Sequence, residues 1–223
     1  MLSIIATMVL MCWGENPPSA TISISANSWL EASRFRPDTP LDPDRVLLYL
    51  NDLRARPRAW RSFVDSVIVL WEDGQPPRML QHLLGTEGYS LLAEIRRYLD
   101  TVTPAPPLRH RPCLEQVAAG HAVDVAKNPN GNPHKGSNGN TLTQRIMARC
   151  NDVRSFGECV DHLSSSASTV VLRLLFDPDV PGRGHRSTLL DPGYRTIGIG
   201  GAPCPKHPIL GNGYVVVLTF GGE

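Results

Sequence analysis

The sequence lacks a long hydrophobic run, an excess of charge of either sign, and many aromatic side chains. Phe, Trp and Tyr make up 6% of its 223 residues, and 22 basic against 21 acidic residues leave a formal net charge of +1. A balance this even offers no general attraction to nucleic acid or to an anionic membrane. The apolar run over residues 2–13 is shorter than the roughly 20 residues that span a bilayer. We therefore predict no nucleic-acid partner and no transmembrane segment.

The sequence motifs of several catalytic classes are also missing. The chain contains no Gly-x-Ser-x-Gly nucleophile elbow and no glycine-rich phosphate loop of the Walker or Rossmann type. No two cysteines form a CxxC pair, which argues against a zinc-thiolate cluster. Because no complete set of nucleophile, base and oxyanion donors is recognisable, the sequence favours a binding protein over an enzyme and leaves enzymatic activity undecided.

The beginning of the chain differs in character from the rest. The apolar run is followed by a helix-breaking stretch over residues 14–20, with small residues suited to cleavage near Ala20 or Ala26. We predict a signal peptide over residues 1–20 and secretion of the protein, although no basic residue precedes Arg34; a disordered start is the alternative. A linker over 21–41 and a single domain over 42–223 follow, with a helical part at 42–107 and a motif-bearing core at 108–223.

Removal of a signal peptide would take away Cys12 and leave Cys113, Cys150, Cys159 and Cys204. Four cysteines in an exported domain favour two disulfides. The short separation of Cys150 and Cys159 favours that pair, which leaves Cys113 with Cys204. The two other connectivities stay open.

Hydrophobic spacing predicts helices in the first part of the chain and strands at its end. The predicted helices begin at about residues 42, 86, 112, 141 and 167. Runs rich in β-branched and aromatic residues over 194–200 and 214–220 predict strands of an antiparallel sheet, and together these elements predict an α+β fold. A basic cluster near the first helix is either a solvated helix end or a site for an anionic partner. It consists of Arg54, Arg56, Arg58 and Arg61.

Side chains suited to chemistry gather in the second half of the chain, at His134, Glu158, Asp177 and His185. They have no local metal-ligand spacing such as HExxH, so they form a site only if the fold brings them together. Each also has a structural interpretation as a solvated loop residue, a turn acceptor or a helix cap. His121, on the apolar side of the predicted helix 112–127, is either a hydrogen-bonded core residue or a ligand.

Six segments in order resemble the CAP superfamily, the group of cysteine-rich secretory, antigen 5 and pathogenesis-related proteins that is also called the SCP domain. They are residues 114–124, 134–145, 157–158, 184–190, 198–200 and 214–220. The acid-rich loop 177–184 before a Gly-His-Arg is similar to bacterial- and protist-type members. Cys159 stands where the family's Gly-Glu-Asn motif has asparagine. The resemblance covers roughly residues 45–220.

The resemblance implies a three-layer α-β-α sandwich with a central antiparallel sheet and a cavity lined by two histidines and two acids. Carried over position by position, these are His134, Glu158 and His185, with Asp177 as the fourth. Two imidazoles and two carboxylates would suit a divalent metal such as Zn²⁺ or Ca²⁺, with His134 and His185 as ligands.

The resemblance also implies a secreted binding or interaction module, with an extracellular protein, a lipid or a sterol as the candidate partner. One alternative is a metal-assisted hydrolase or protease, in which Glu158 would be the general base on a metal-bound water. The other is a disulfide-stabilised scaffold with a vestigial pocket, because a disulfide at Cys159 would restrict Glu158.

Overall fold

The computed structural model describes residues 41–73, 78–164, 166–207 and 211–222. The predicted signal peptide and residues 21–40 of the predicted linker lie outside these ranges. None of the described helices is long and apolar enough to cross a bilayer. In chain order the elements are α1 Pro43–Ala55, a 3₁₀ helix Pro57–Trp60, α2 Arg61–Glu72, α3 Arg78–Leu84, α4 Tyr89–Thr101, β1 Arg109–His110, α5 Pro112–Lys127, α6 Leu142–Met147, β2 Ser155–Ser164, α7 Ala167–Phe176, α8 Gly184–Leu190, β3 Thr196–His207 and β4 Gly211–Gly222.

The strands form a sheet in the order β1-β3-β4-β2. The long strands β2 and β3 both pair antiparallel with β4. The sequence predicts β3 and β4 as antiparallel strands but does not predict β2. The two-residue β1 is the exception, since it pairs parallel with the start of β3. In the described part of the sheet, β2 is therefore an edge strand.

Helices cover both faces of the sheet. On one face, α5 packs Ala118 and Ala122 against Val215 and Val217 of β4. This approach is so close that a Cβ at Gly200 of β3 would overlap the α5 backbone. On the other face, side chains of β4 share the large core with α1 and α7. The predicted α+β fold with three α-β-α layers is confirmed.

The basic cluster near α1 is a solvated helix end only in part, because Arg58 is exposed whereas Arg54 is not. Arg54 is fully buried, and Arg56 and Arg61 pair with the carboxylates of Asp52 and Asp100. The Arg54 guanidinium donates to four main-chain carbonyls, those of Pro106, Leu189, Asp191 and Tyr194. Because Leu189 lies in the last turn of α8, Arg54 ties α1 to the helix that carries His185.

The predicted disulfide pairs Cys150–Cys159 and Cys113–Cys204 are wrong. Cys113 is bonded to Cys150, with 5.6 Å between the two Cα atoms, and Cys159 and Cys204 are free and buried. Cys159 belongs to the large core on one face of the sheet, whereas Cys204 belongs to the small core beneath α5 on the other. Cys113 and Cys150 meet because the start of α5 and the end of α6 share a separate apolar cluster.

Candidate functional site

The loop between α5 and α6 carries His134 and is anchored by hydrogen bonds to its own main chain. The side-chain oxygen of Asn132 accepts from the main-chain N–H of His134 at 2.9 Å. The carboxylate of Asp124 accepts from the main-chain N–H of Ser137 at 2.8 Å and from its hydroxyl at 2.5 Å. The His134 side chain is 48% exposed. Its main chain is therefore fixed by the loop, while its imidazole ring is accessible to solvent.

Glu158 on β2 forms the first histidine–carboxylate pair. Its Oε1 lies 3.1 Å from Nδ1 of His134, and its Oε2 accepts from Nη2 of Arg145 at 2.6 Å. The Glu158 side chain is 1% exposed. Both oxygens are thus engaged inside the protein, and the carboxylate orients the His134 ring.

His121 is a buried residue of α5 that is hydrogen-bonded to the main chain. It is buried, and its Nε2 lies 2.8 Å from the carbonyl oxygen of Pro133. A carbonyl only accepts, so Nε2 carries the proton and donates it. The same nitrogen lies 3.8 Å from Oε1 of Glu158. His121 therefore lies behind the first pair as a hydrogen-bonded core residue, which agrees with one of the two interpretations that the sequence leaves open.

Asp177 and His185 form the second histidine–carboxylate pair. Asp177 ends α7 in the left-handed conformation with φ 51°, which is uncommon for a residue other than glycine. This turn directs its carboxylate to His185, with Oδ1 2.7 Å from Nδ1 and Oδ2 accepting from the main-chain N–H at 3.0 Å. The Asp177 side chain is 1% exposed, so it is a buried acceptor that fixes the His185 ring.

Ion pairs hold the loop between α7 and α8, together with the first turn of α8, against α4 and the turn that precedes it. Arg183 pairs with Glu87 and with Glu94, and Arg186 also pairs with Glu94. The hydrogen bond from Arg183, aided by that from Arg186, lowers the pKa of Glu94 to about 2. Arg183 also donates to the main-chain carbonyl of Asp177 at 2.9 Å. Through this bond the ion-pair network fixes the main chain of Asp177, and with it the position of the Asp177–His185 pair.

Both pairs open into one cleft. The ring centroids of His134 and His185 are 6.2 Å apart, with the ring planes inclined at 38°. The cleft has a volume of about 220 Å³ and is also lined by Asp177. Glu158 lies behind His134. The structure thus brings the four predicted residues together as two pairs.

The donor set of this cleft fits a metal ion only in part. Because Nδ1 of each histidine faces a carboxylate, each neutral ring carries its proton there and leaves the lone pair on Nε2. Two imidazole Nε2 donors suit Zn²⁺. Within the described ranges, however, no set of three or more His, Cys, Asp or Glu side chains is arranged to hold a metal ion. His134 and His185 would supply two ligands, and water or a bound ligand would have to complete the set.

Further polar groups line the cleft that sequence reasoning did not select. Asp161 of β2 accepts from Nε of Arg173 at 2.8 Å, and His162 lies next to it on the strand. Burial lowers the pKa of His162, an effect that the Asp161 carboxylate opposes. Sequence reasoning missed Asp161 and His162 because it did not predict strand β2. A predicted strand over 155–164 would have placed both residues close to Glu158.

The three layers agree with the CAP fold that the sequence resembles, and the comparison with known proteins shows the family. The family described as CAP, Cysteine-rich secretory protein family, matches residues 49–220. The match spans more than half of the chain, and the chain belongs to this family. No curated protein matches it.

Two solved structures are similar to the chain. One is an extracellular protein containing a SCP domain from Bacillus anthracis, with 19% identity and a TM-score of 0.42 over 60% of this chain and 38% of the solved chain. The other is an outer surface protein from Borrelia burgdorferi, with 24% identity and a TM-score of 0.41 over 60% of this chain and 89% of that one. This chain thus spans well under half of the Bacillus protein.

Proposed function

We propose that this CAP domain is an extracellular binding module whose cleft holds a divalent metal ion through Nε2 of His134 and Nε2 of His185. The observation that carries the proposal is the pairing of each Nδ1 with a carboxylate that is 1% exposed. Such a carboxylate fixes the ring and raises the basicity of the free nitrogen. Secretion is part of the proposal and is supported by the apolar residues 2–13 and the breaker stretch that follows.

The donors favour Zn²⁺ over Ca²⁺. Calcium takes six to eight oxygen ligands, whereas the carboxylates of Glu158 and Asp177 are already hydrogen-bonded to protein groups. Zinc accepts imidazole nitrogen readily. With two protein ligands the ion keeps open positions, so it would bind reversibly and present those positions to a second ligand.

Calorimetric titration of the full chain with Zn²⁺ tests the proposal. We expect a saturable heat that disappears in the double variant His134→Ala, His185→Ala. The variant His110→Ala is the matched control, because His110 pairs with Asp44 on another part of the surface. Equal heats for the unaltered chain and the double variant would refute the metal site.

The hydrolase alternative is less well supported by the same geometry. It requires Glu158 to take a proton from water, yet one oxygen faces His134 and the other accepts from Arg145. A sterol is also a poorer fit to the histidine cleft, since its volume of about 220 Å³ is below the roughly 300–1,000 Å³ of pockets that enclose drug-sized ligands. The scaffold alternative depends on a disulfide at Cys159 that would restrict Glu158. Because Cys159 is free, that argument for a vestigial pocket no longer applies.

A further inference from the structure

A groove between α5 and α6 is a second cavity that the proposed function does not use. It has a volume of about 320 Å³ and shares no lining residue with the histidine cleft. Its walls are α5, the loop that follows α5, and α6 with the residues just after it. This volume reaches the roughly 300–1,000 Å³ of pockets that take small organic ligands, so the groove is large enough for a ligand.

One wall of this groove carries a glycine that no neighbouring element requires. Gly120 lies inside α5 and lines the groove, although glycine disfavours the interior of a helix. A Cβ at Gly120 would meet no atom of another described element within 4 Å, whereas a Cβ at Gly198 or Gly200 of β3 would overlap the α5 backbone. Glycine at 120 therefore leaves the groove open instead of allowing two elements to pack closely.

Arg149 brings to the groove a positive charge that has no partner among the described residues. The other acidic and basic side chains along the groove are Asp124 and Arg145. The Asp124 carboxylate already accepts from Ser137, and the Arg145 guanidinium is paired with Glu158. The exposed Arg149 side chain has no hydrogen bond or ion pair with any described residue. A guanidinium binds a carboxylate through two parallel hydrogen bonds, so Arg149 is suited to anchor a carboxylate.

Four exposed amide side chains surround the same groove. The side-chain oxygen of Asn138 accepts from the main-chain N–H of Asn140 at 3.0 Å, and that of Gln144 accepts from the main-chain N–H of Thr141 at 2.9 Å. The amide nitrogens of Asn138 and Gln144 are therefore left to donate. The side chains of Gln116 and Asn140 make no hydrogen bond to any described residue, so each offers both a donor and an acceptor. Hydroxyl groups, which also donate and accept, match this set.

We propose that the groove binds a sugar acid, a ring with several hydroxyl groups and one carboxylate, with the carboxylate on Arg149 and the hydroxyls on the amide side chains. One negative charge is favoured over two, because the Asp124 carboxylate lines the same groove and repels a further charge. No Phe, Trp or Tyr of the described residues lines the groove, so the sugar gains no aromatic stacking and we expect a Kd of about 1 mM. The proposal goes beyond the proposed function and requires neither a metal ion nor the paired histidines.

NMR titration of the isotope-labelled full chain with methyl glucuronide in EDTA tests the inference. We expect saturable shifts of the amide resonances of Gly120, Asn138 and Gln144. Methyl glucoside, which lacks the carboxylate, and acetate, which lacks the hydroxyls, should each bind at least about tenfold more weakly, and so should the more highly charged inorganic phosphate. Absence of saturable shifts with the glucuronide would overturn the proposal, as would any of the other three probes binding as tightly as the glucuronide.

The variant Arg149→Met tests the anchor for the carboxylate. Its matched control is Arg97→Met, because Arg97 is exposed on α4 and its side chain also has no partner among the described residues. We expect the glucuronide to bind at least about tenfold more weakly to Arg149→Met and as well as before to Arg97→Met. Equal affinities of the two variants would contradict the role of Arg149.

The variant Gly120→Leu tests the groove itself by filling the space that glycine leaves open. Leucine favours a helix more than glycine does, so the variant should fold. The matched control is Ala119→Leu, which adds the same side chain at an exposed position of α5 outside the groove lining. We expect Gly120→Leu to abolish the saturable shifts and Ala119→Leu to retain them; undiminished binding to Gly120→Leu would overturn the site. Because the sugar titrations contain EDTA, glucuronide binding without a zinc heat refutes only the metal site, and a zinc heat without glucuronide binding refutes only the sugar-acid site.

Discussion

Replacing Arg54 by methionine should destabilise the fold and loosen α8. Methionine retains most of the aliphatic packing but removes the cation and every donor. The carbonyls of Pro106, Leu189, Asp191 and Tyr194 would then lose the guanidinium that joins them. The hydrogen bond from Arg54 to the Leu189 carbonyl is buried, so water cannot readily replace the lost donor at that carbonyl.

The size of the effect follows from two opposing contributions. A hydrogen bond from a charged donor stabilises by about 1.5–3 kcal/mol, so four of them contribute at least about 6 kcal/mol. Burial lowers the pKa of Arg54 to about 10, so desolvation of the cation opposes these bonds and the variant regains part of their contribution. We expect a net loss of about 3 kcal/mol, which is large against the 5–15 kcal/mol that typical domains possess.

Urea unfolding followed by circular dichroism measures this loss. Arg58→Met is the matched control, because the exposed Arg58 donates one hydrogen bond, to the carbonyl of Asp100 at 3.1 Å. The control should change the free energy of unfolding by less than about 1 kcal/mol. An Arg54→Met chain as stable as the control would refute the assignment of Arg54 as the link between α1 and α8.

Further predictions concern the cysteines, the ion pairs and the first histidine–carboxylate pair. Removing the Cys113–Cys150 bond, which joins residues 37 apart, should lower the free energy of unfolding by about 3–4 kcal/mol in urea. Burial raises the pKa of the Cys159 thiol, so a thiol-alkylating reagent should modify it only after unfolding; rapid modification mapped to Cys159 by mass spectrometry in the native chain would contradict its position. The pKa of Glu94 falls from 4.5 to about 2 on folding, so its stabilisation is present above pH 4.5 and is lost as the pH falls toward 2. Acid titration of Glu94→Gln should lack this loss, and an unchanged profile would argue against the ion pairs. Arg145→Met should weaken zinc binding by about tenfold in calorimetry, whereas Arg149→Met should not; equal affinities would exclude Arg145 as the residue that positions Glu158.

The fold could be predicted where local patterns and tertiary packing agree. The helices around α5 and α7 and the strands β3 and β4 have the spacing that their buried faces require. Strand β2 was missed because Gly157, Glu158 and Asp161 are poor strand formers, and pairing with β4 overrides that preference. Helix α2 was missed because its β-branched Val64 and Val67 disfavour helix, whereas packing buries both.

The site could be predicted as a set of residues but not as an arrangement. Ordered motifs single out His134, Glu158, Asp177 and His185, yet spacing does not say which imidazole faces which carboxylate. That pairing depends on the left-handed turn at Asp177 and on the strand that carries Glu158. The disulfide could not be predicted for a related reason. Sequence distance ignores the sheet, which separates the cores that hold Cys159 and Cys204.

The protonation pattern of the two cleft imidazoles is the most direct test of the account. Long-range proton–nitrogen NMR correlation distinguishes a protonated Nδ1 from a protonated Nε2 in each ring. We predict that neutral His134 and neutral His185 both carry the proton on Nδ1, facing Glu158 and Asp177, and that added Zn²⁺ shifts both Nε2 resonances. A proton on Nε2 in either ring, or Nε2 resonances that zinc leaves unchanged, would contradict the account.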